Sequence, residues 1–319
     1  MSSLQPVTVE VTRGVVESTH LVDVVVIGPT GPVFVAGDAS RAILPRSAIK
    51  PIQVLPLIET GAAEHFDLSD EEIALGAASH SAEPPHTAAV QAWLARMGLN
   101  ASALECGPAR PLTQSRADDL LRSGVEFAPI HNCCSGKHAG FLAVAKHLGH
   151  ELSGYIARDH PVQELVADAI TRYTGVDTAD LAYGVDGCGI PTFEIPLQSL
   201  ATAMRRLAVS QEAAPRRVIS ALGGRAFWLS GTHRHETLLE SIATEPLIAK
   251  VGAEGVFVGI LPERGFGIAL KARDGAERAA NAAMTRVLAE LGVVDPQAVA
   301  TNNTNRAGTV VGSTEAHLS

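Results

Sequence analysis

The chain has 319 residues, 46% of them hydrophobic, and a formal charge of −9. That is enough apolar residue to bury one large core or two smaller ones, which excludes a disordered chain, and the acidic balance without any Lys/Arg-rich run excludes broad binding to a nucleic-acid backbone. No apolar run approaches the ~20 residues of a membrane span, Met1–Pro6 shows no basic segment followed by an apolar core, and four cysteines in so long a chain do not make a disulfide framework, so the expectation is a cytoplasmic protein with free thiols or a metal site.

Residues 7–38 read as antiparallel strands: Val7–Val11 alternates, Val22–Ile27 is a β-branched run, and Gly28–Pro32 turns into Val33–Ala36. Arg46-Ser47-Ala48-Ile49-Lys50-Pro51 then opens a helix, with Ser47 and Lys50 one turn apart on one face. Ser69 and Glu72 make a capping box before Ile73–Ala78, which ends in the polar loop from Ser79 to His86. A third helix spans roughly Thr87–Met97, with further helical periods near Ser115–Arg122, Pro161–Tyr173 and Leu197–Leu207.

Phe127–Ile130 reads as a short strand running into a helix from Lys137, and Leu181–Pro191 as a strand ending in the glycine-bracketed Gly187-Cys188-Gly189. Gly255–Leu261 and Gly265–Lys271 form a hairpin, Ala276–Leu291 is a long Ala-rich helix, and the tail from Asn302 is polar and less defined. Hairpins, helices, then hairpin and helix again predict an α+β fold: an antiparallel sheet from both ends of the chain, flanking helices and a mostly helical subdomain. A single catalytic unit over 1–319 is expected, with the sheet part at approximately 1–60 and 225–319 and the helical part at approximately 61–224.

The reactive side chains gather at Asn132-Cys133-Cys134-Ser135-Gly136-Lys137-His138, where two thiols, a hydroxyl, an amine and an imidazole approach a helix start. Amides at a helix N-terminus favour a thiolate or a substrate anion, and Gly136 is expected to make the turn. The chain has twenty Arg and only five Lys, so a retained Lys is a candidate for work that needs an amine able to lose its proton. Lys50 is placed to activate Ser47, and Lys271, at the end of the apolar strand Phe266–Leu270, is a possible partner for Ser79. Cys134 and Cys188, with Lys137 or His138, suit zinc in donor type but lack the close spacing of structural sites; two inert thiols are the alternative.

Together, Pro45–Pro51, Ala78–Pro84, Asn132–Phe141, Asp186–Pro191, Gly231-Thr232 with Arg234, Gly252–Gly255 and Gly267–Lys271 resemble the rhizobial-type (class 3) L-asparaginase family, in order over residues 45–275. The resemblance implies a fold related to serine β-lactamases and serine-dependent glutaminases, a homodimer, and hydrolysis of L-asparagine to L-aspartate and ammonia. It further implies Ser47 as nucleophile with Lys50 as base, Ser79 with Lys271 as a second tandem, and zinc on Cys134, Lys137 and Cys188, with Asp186 behind them. Arg46, His138, Lys137 and Asp186 are candidates to hold the substrate's charged ends. Two positions depart from the family pattern: Cys133 stands where the family has Asn, and Ala82 where it has Gly.

Three other readings compete. A penicillin-recognising hydrolase would carry Ser-x-Asn and Lys-Thr-Gly, whereas Lys271 is followed by Ala272-Arg273. A glutaminase differs by one methylene of substrate, worth only ~1–3 kcal/mol of discrimination. A zinc or amino-acid binding protein would release no ammonia.

Overall fold

The computed structural model describes residues 5–298 and 300–318; Met1–Leu4, part of the stretch read for a leader, lies outside them. Contacts divide the chain into a sheet unit (1–48, 194–209 and 238–319) and a helical unit (49–193 and 210–237). The expected division at about residues 60 and 225 therefore shifts, and residues 197–209 belong with the sheet.

In the sheet unit the strands are β1 (Val7–Thr12), β2 (Val16–Gly28), β3 (Gly31–Ala36), β4 (Ile248–Gly252), β5 (Val256–Leu261), β6 (Phe266–Ala272), β7 (Thr301–Thr304) and β8 (Val310–His317). All pairings are antiparallel, in the order β7-β8-β1-β2-β6-β5-β4, with β3 sharing the β1 edge of β2. The α+β expectation holds. Alternation in β1 buries Val7, Val9 and Val11, and β2 is long because its polar first half pairs with β1 while Val22–Ile27 pairs with β6.

The tail is not loose. β8 pairs with β1 from Thr8↔His317 to Val11↔Thr314, and it escapes a hydrophobicity reading because the residues it buries, Thr314 and Ala316, are small. β4 was likewise hidden by Lys250, which is fully buried and donates to the Val251 carbonyl at 2.8 Å.

Two helices flank this sheet. The core of Val24, Phe257, Ile268, Leu270, Ala279, Ala283, Met284 and Val287 joins the strands to the helix Glu277–Glu290. On the other face Gly267 lets the helix Leu197–Val209 approach so closely that a Cβ there would lie 2.2 Å from the Ala201 carbonyl oxygen. Side chains alternate across a strand, so Lys271 shares the face of Gly267 and Ala269, away from that core.

The helical unit contains α1 (Asp70–Gly76), α2 (Pro84–Arg96), α3 (Ser135–Leu148) and α4 (Pro161–Thr174). Both groups of the expected capping box bond at the start of α1. Helix α2 begins at Pro84 rather than Thr87, because prolines cost nothing in a first turn, where the amides lack helical partners. The central α3 is buried along Ser135–Ala145, consistent with its weak amphipathic signal. Its start differs from expectation: Phe127–Ile130 is not a strand, and Pro129–His131 instead forms a 3₁₀ turn closed by the Ala128 amide donating to His131 Nδ1 at 3.0 Å. The Leu181–Pro191 stretch is a tight hairpin, Tyr183–Val185 against Pro191–Phe193. Among the described residues no helix is long and apolar enough to cross a membrane.

Candidate active site

Ser47 and Arg46 sit in the 3₁₀ turn Arg46–Ile49, which leads directly into the short helix Lys50–Gln53. Arg46 holds a left-handed φ of 51°, uncommon for a residue with a Cβ and a frequent mark of functional turns. Within the sheet unit, the end of β4 presses on this turn: a Cβ on Gly252 would lie 2.6 Å from the Pro45 carbonyl oxygen and 3.0 Å from the Ala48 amide.

Lys271 is half-buried and donates to the carbonyls of Glu254 at 2.5 Å and Ala272 at 2.6 Å. Burial lowers its affinity for a proton. Beside it, Arg273 and Arg41 converge on the fully buried carboxylate of Asp23, which also accepts from the Asp38 amide. Burial alone would raise the Asp23 carboxyl, but these donors hold it below the usual carboxylate range.

The helical unit gathers the rest. Lys50, fully buried, directs its amine at the Ala78 carbonyl, at Ser79 Oγ (2.9 Å) and at Cys134 Sγ (3.2 Å). These three contacts account for the three N–H bonds of an ammonium. The lysine observed on Ser79 is thus Lys50, while the bonds seen for Lys271 are to Glu254 and Ala272.

Cys134 caps the N-terminus of α3. Hydrogen bonds with the Cys133 and Cys188 thiols, and the ammonium groups of Lys50 and Lys137, hold the Cys134 thiol well below the usual thiol range against the effect of burial. Cys188, hydrogen-bonded to Cys134 and buried, is pushed the other way. Lys137 donates to Cys188 Sγ at 3.0 Å. Burial opposes its charge, but Cys188, Cys134 and Asp186 outweigh that and raise it. Cys106, pushed up by burial to about 12, is inert.

Among the described residues no three His, Cys, Asp or Glu side chains group around one metal position. The expected zinc set is different in kind, two sulfurs and an amine. Of these donors Lys137 and Cys188 already touch, the Cys134 and Cys188 thiols influence one another's proton affinity, and two soft sulfurs with one nitrogen suit zinc. The residues therefore fit the metal, which would displace the Lys137 proton on binding.

Gly136 is not a turn residue. It lies inside α3, where a Cβ would come within 2.4 Å of the Leu75 carbonyl oxygen, so its role is to let α3 approach α1.

Of the expected substrate-binding residues, Asp186 begins the hairpin turn that presents Cys188 and is half-buried, and His138 is fully buried on α3. The Tyr155 hydroxyl accepts from the Glu105 amide at 2.8 Å and shares a hydrogen bond of 2.8 Å with His138 Nδ1, and among the described residues His138 Nε2 has no hydrogen-bond partner. Burial lowers the proton affinity of this ring. Tyr155 went unnoticed in the sequence, where its one signal was rarity: the chain has three tyrosines. Equally unforeseen is Glu83, whose two oxygens accept from the Thr232 amide (2.8 Å) and hydroxyl (2.7 Å). Gly231 is required there, because a Cβ would lie 2.5 Å from Ser81 Oγ.

The family model of L-asparaginase II matches residues 9–316. No protein of curated function matches the chain. Among solved structures, Mglu in its glutamate form is 15% identical over 85% of this chain and 60% of its own, with a TM-score of 0.48. A putative β-lactamase from Bacteroides dorei DSM 17855 is 14% identical over 85% of this chain and 94% of its own, with a TM-score of 0.45. A β-lactamase from Mycobacterium bovis is 16% identical over 84% of this chain and 94% of its own, with a TM-score of 0.41. The chain spans about three fifths of the length of the Mglu chains, and likenesses this distant assign no role to any residue.

Proposed function

The chain belongs to the L-asparaginase II family, and from that premise we propose that it is an amidohydrolase that hydrolyses the side-chain amide of L-asparagine to L-aspartate and ammonia through a serine acyl-enzyme. The observation that carries the reading is the buried Lys50 amine on Ser79 Oγ and Cys134 Sγ, one helical turn after Ser47. A buried lysine amine on a serine hydroxyl is an arrangement that can activate a serine.

In the proposed sequence Ser47 Oγ attacks the amide carbon and its proton passes to Lys50, once that amine has released one of its own. Ammonia leaves with the proton that Lys50 took from Ser47, and water then cleaves the ester, returning a proton to Ser47 Oγ. The family resemblance pairs Ser79 with Lys271 as a second tandem that would relay protons, and Arg46, His138 and Asp186 would hold the substrate's charged ends. His138 Nε2, buried and without a hydrogen-bond partner among the described residues, is suited to a polar atom of the substrate. Cys134, Lys137 and Cys188 would hold zinc, which when bound would supply Lewis-acid polarisation and charge stabilisation.

The Lys50–Ser79 bond of 2.9 Å favours a second reading in which Ser79 is the nucleophile. A penicillin-recognising role is disfavoured, since Arg273, beside Lys271, is occupied by Asp23 rather than offered to a ligand carboxylate.

The test is ammonia release from L-asparagine and L-glutamine by wild type, Ser47→Ala and Ser79→Ala, with and without Zn²⁺. Quenched samples are taken for the mass of an aspartyl adduct. Loss of both adduct and turnover in Ser47→Ala, with an adduct retained in Ser79→Ala, supports the assignment. An adduct on Ser79 reverses the two serines, and silence of wild type on both amides removes the asparaginase reading. Light scattering of the same samples tests the homodimer that the family resemblance implies.

A further inference from the structure

We propose that Cys133 and Cys134 form a site of reversible oxidative modification, at which a peroxide joins the two thiols in a disulfide and silences the centre to which Cys134 belongs. Of the four thiols, three are buried and Cys133 alone reaches the surface in part. Its sulfur lies 3.9 Å from Cys134 Sγ, and Cys134 Sγ in turn accepts the hydrogen bond from Lys50. An oxidant that enters from solvent therefore meets Cys133 first, and a second sulfur is already beside it. Asn, the family's residue at position 133, could do none of this.

The chemistry balances with hydrogen peroxide as the sole co-reactant. Cys133 sulfur attacks one peroxide oxygen, the O–O bond breaks, and water leaves with the thiol proton accounted for, giving a sulfenic acid. Cys134 sulfur then attacks Cys133 sulfur, the S–O bond breaks, a second water leaves and the S–S bond forms. Two thiols are oxidised and one peroxide is reduced to two waters.

The product is suited to regulation rather than to structure. Adjacent Cα atoms are about 3.8 Å apart, below the roughly 4.4–6.8 Å of ordinary disulfides, so the bridge is strained and easily reduced. While it exists, Cys134 has no free sulfur to offer Lys50 or a metal. This consequence for hydrolysis rests on the proposed function; the thiol chemistry does not.

The test uses the full chain, reduced and then freed of reductant, exposed to a few equivalents of hydrogen peroxide. Titratable thiols, counted after denaturation in acid, are expected to fall from four to two, with an intact mass lower by two hydrogens and a bridge mapped within the peptide containing Cys133 and Cys134. Dithiothreitol should restore all four thiols together with any ammonia release and bound zinc. Cys133→Asn should keep its four minus one thiols and its zinc under the same treatment. A bridge mapped to Cys134 and Cys188, equal thiol loss in Cys133→Asn and wild type, or Cys133 passing to sulfinic acid without bridging would each overturn the proposal. A chain that forms the bridge yet hydrolyses no asparagine supports the site and counts against the substrate reading.

Discussion

Ala82 shows how one residue can depart from a family pattern at little cost. It holds a left-handed φ of 55° in the loop after Ser79, with no exposed surface. A residue with a Cβ in that region costs roughly 1–2 kcal/mol. Replacing it with Gly would forfeit about 0.8 kcal/mol of buried methyl and roughly 0.4–1 kcal/mol through the freer unfolded chain. These terms nearly cancel, so Ala82→Gly should change the urea unfolding free energy by less than about 1 kcal/mol. Ala82→Val adds β-branching in the same conformation and bulk in a packed site, and should lose about 2–3 kcal/mol. The substitution itself was visible in the sequence; the backbone angle that sets its cost was not. Asp23 was wholly missed, because a lone acid inside a β-branched run gives no hint that Arg41 and Arg273 converge on it from distant segments. Its removal leaves a buried site of donors without an acceptor, so Asp23→Ala should cost about 2 kcal/mol or more in the same measurement. With a folded carboxyl below its unfolded value, Asp23 contributes stability present above about pH 4 that is lost as pH falls through its folded value, and Asp23→Asn should lack that part of the acid transition.

Elements were legible where one periodicity dominated. The alternation of β1, the capping box of α1 and the hairpin β5–β6 each follow from local spacing. What failed was what tertiary contacts decide: β8 is a strand because β1 presents it an edge, and α3 is a continuous buried helix from Ser135 because α1, α2 and α4 surround it. Gly136 joins this scale to the chemistry, since it permits the α1–α3 approach and lies between Cys134 and Lys137 in sequence. Gly136→Ala drives a methyl into the backbone carbonyl of Leu75, a contact that no side-chain rotation relieves. It should destabilise by about 1–3 kcal/mol. It should also weaken binding at the proposed zinc site, read by chelator competition, more than Gly140→Ala, where the new methyl would meet Trp93 and Leu57 side chains at 3.5 and 3.7 Å.

For the molecule as a whole, motif order exposed the family, while the electrostatics of its interior stayed hidden because burial cannot be read from residue identity. His80, His86 and His131 are all buried, and burial lowers the proton affinity of each. Their bonds describe neutral rings. His86 Nδ1 accepts from the Glu83 amide while Nε2 faces the Phe227 carbonyl at 2.9 Å, and His80 Nδ1 accepts from the Ala82 amide while Nε2 faces Ser135 Oγ at 2.8 Å. An unfolded chain takes up protons on such residues near pH 6.5, before the folded chain does. Stability is therefore whole above about pH 6.5 and falls as pH drops toward the folded values, with a slope of up to about 1.4 kcal/mol per pH unit for each histidine. That window lies well above the one in which Asp23 titrates, so the two causes separate along the pH axis. The urea midpoint should fall markedly between pH 7 and pH 5, and His86→Gln, which cannot be protonated, should show a shallower fall while being less stable at pH 7. An unchanged midpoint from pH 7 to pH 5 would mean that the buried rings accept protons in place, contrary to the donors seen on His80 and His86.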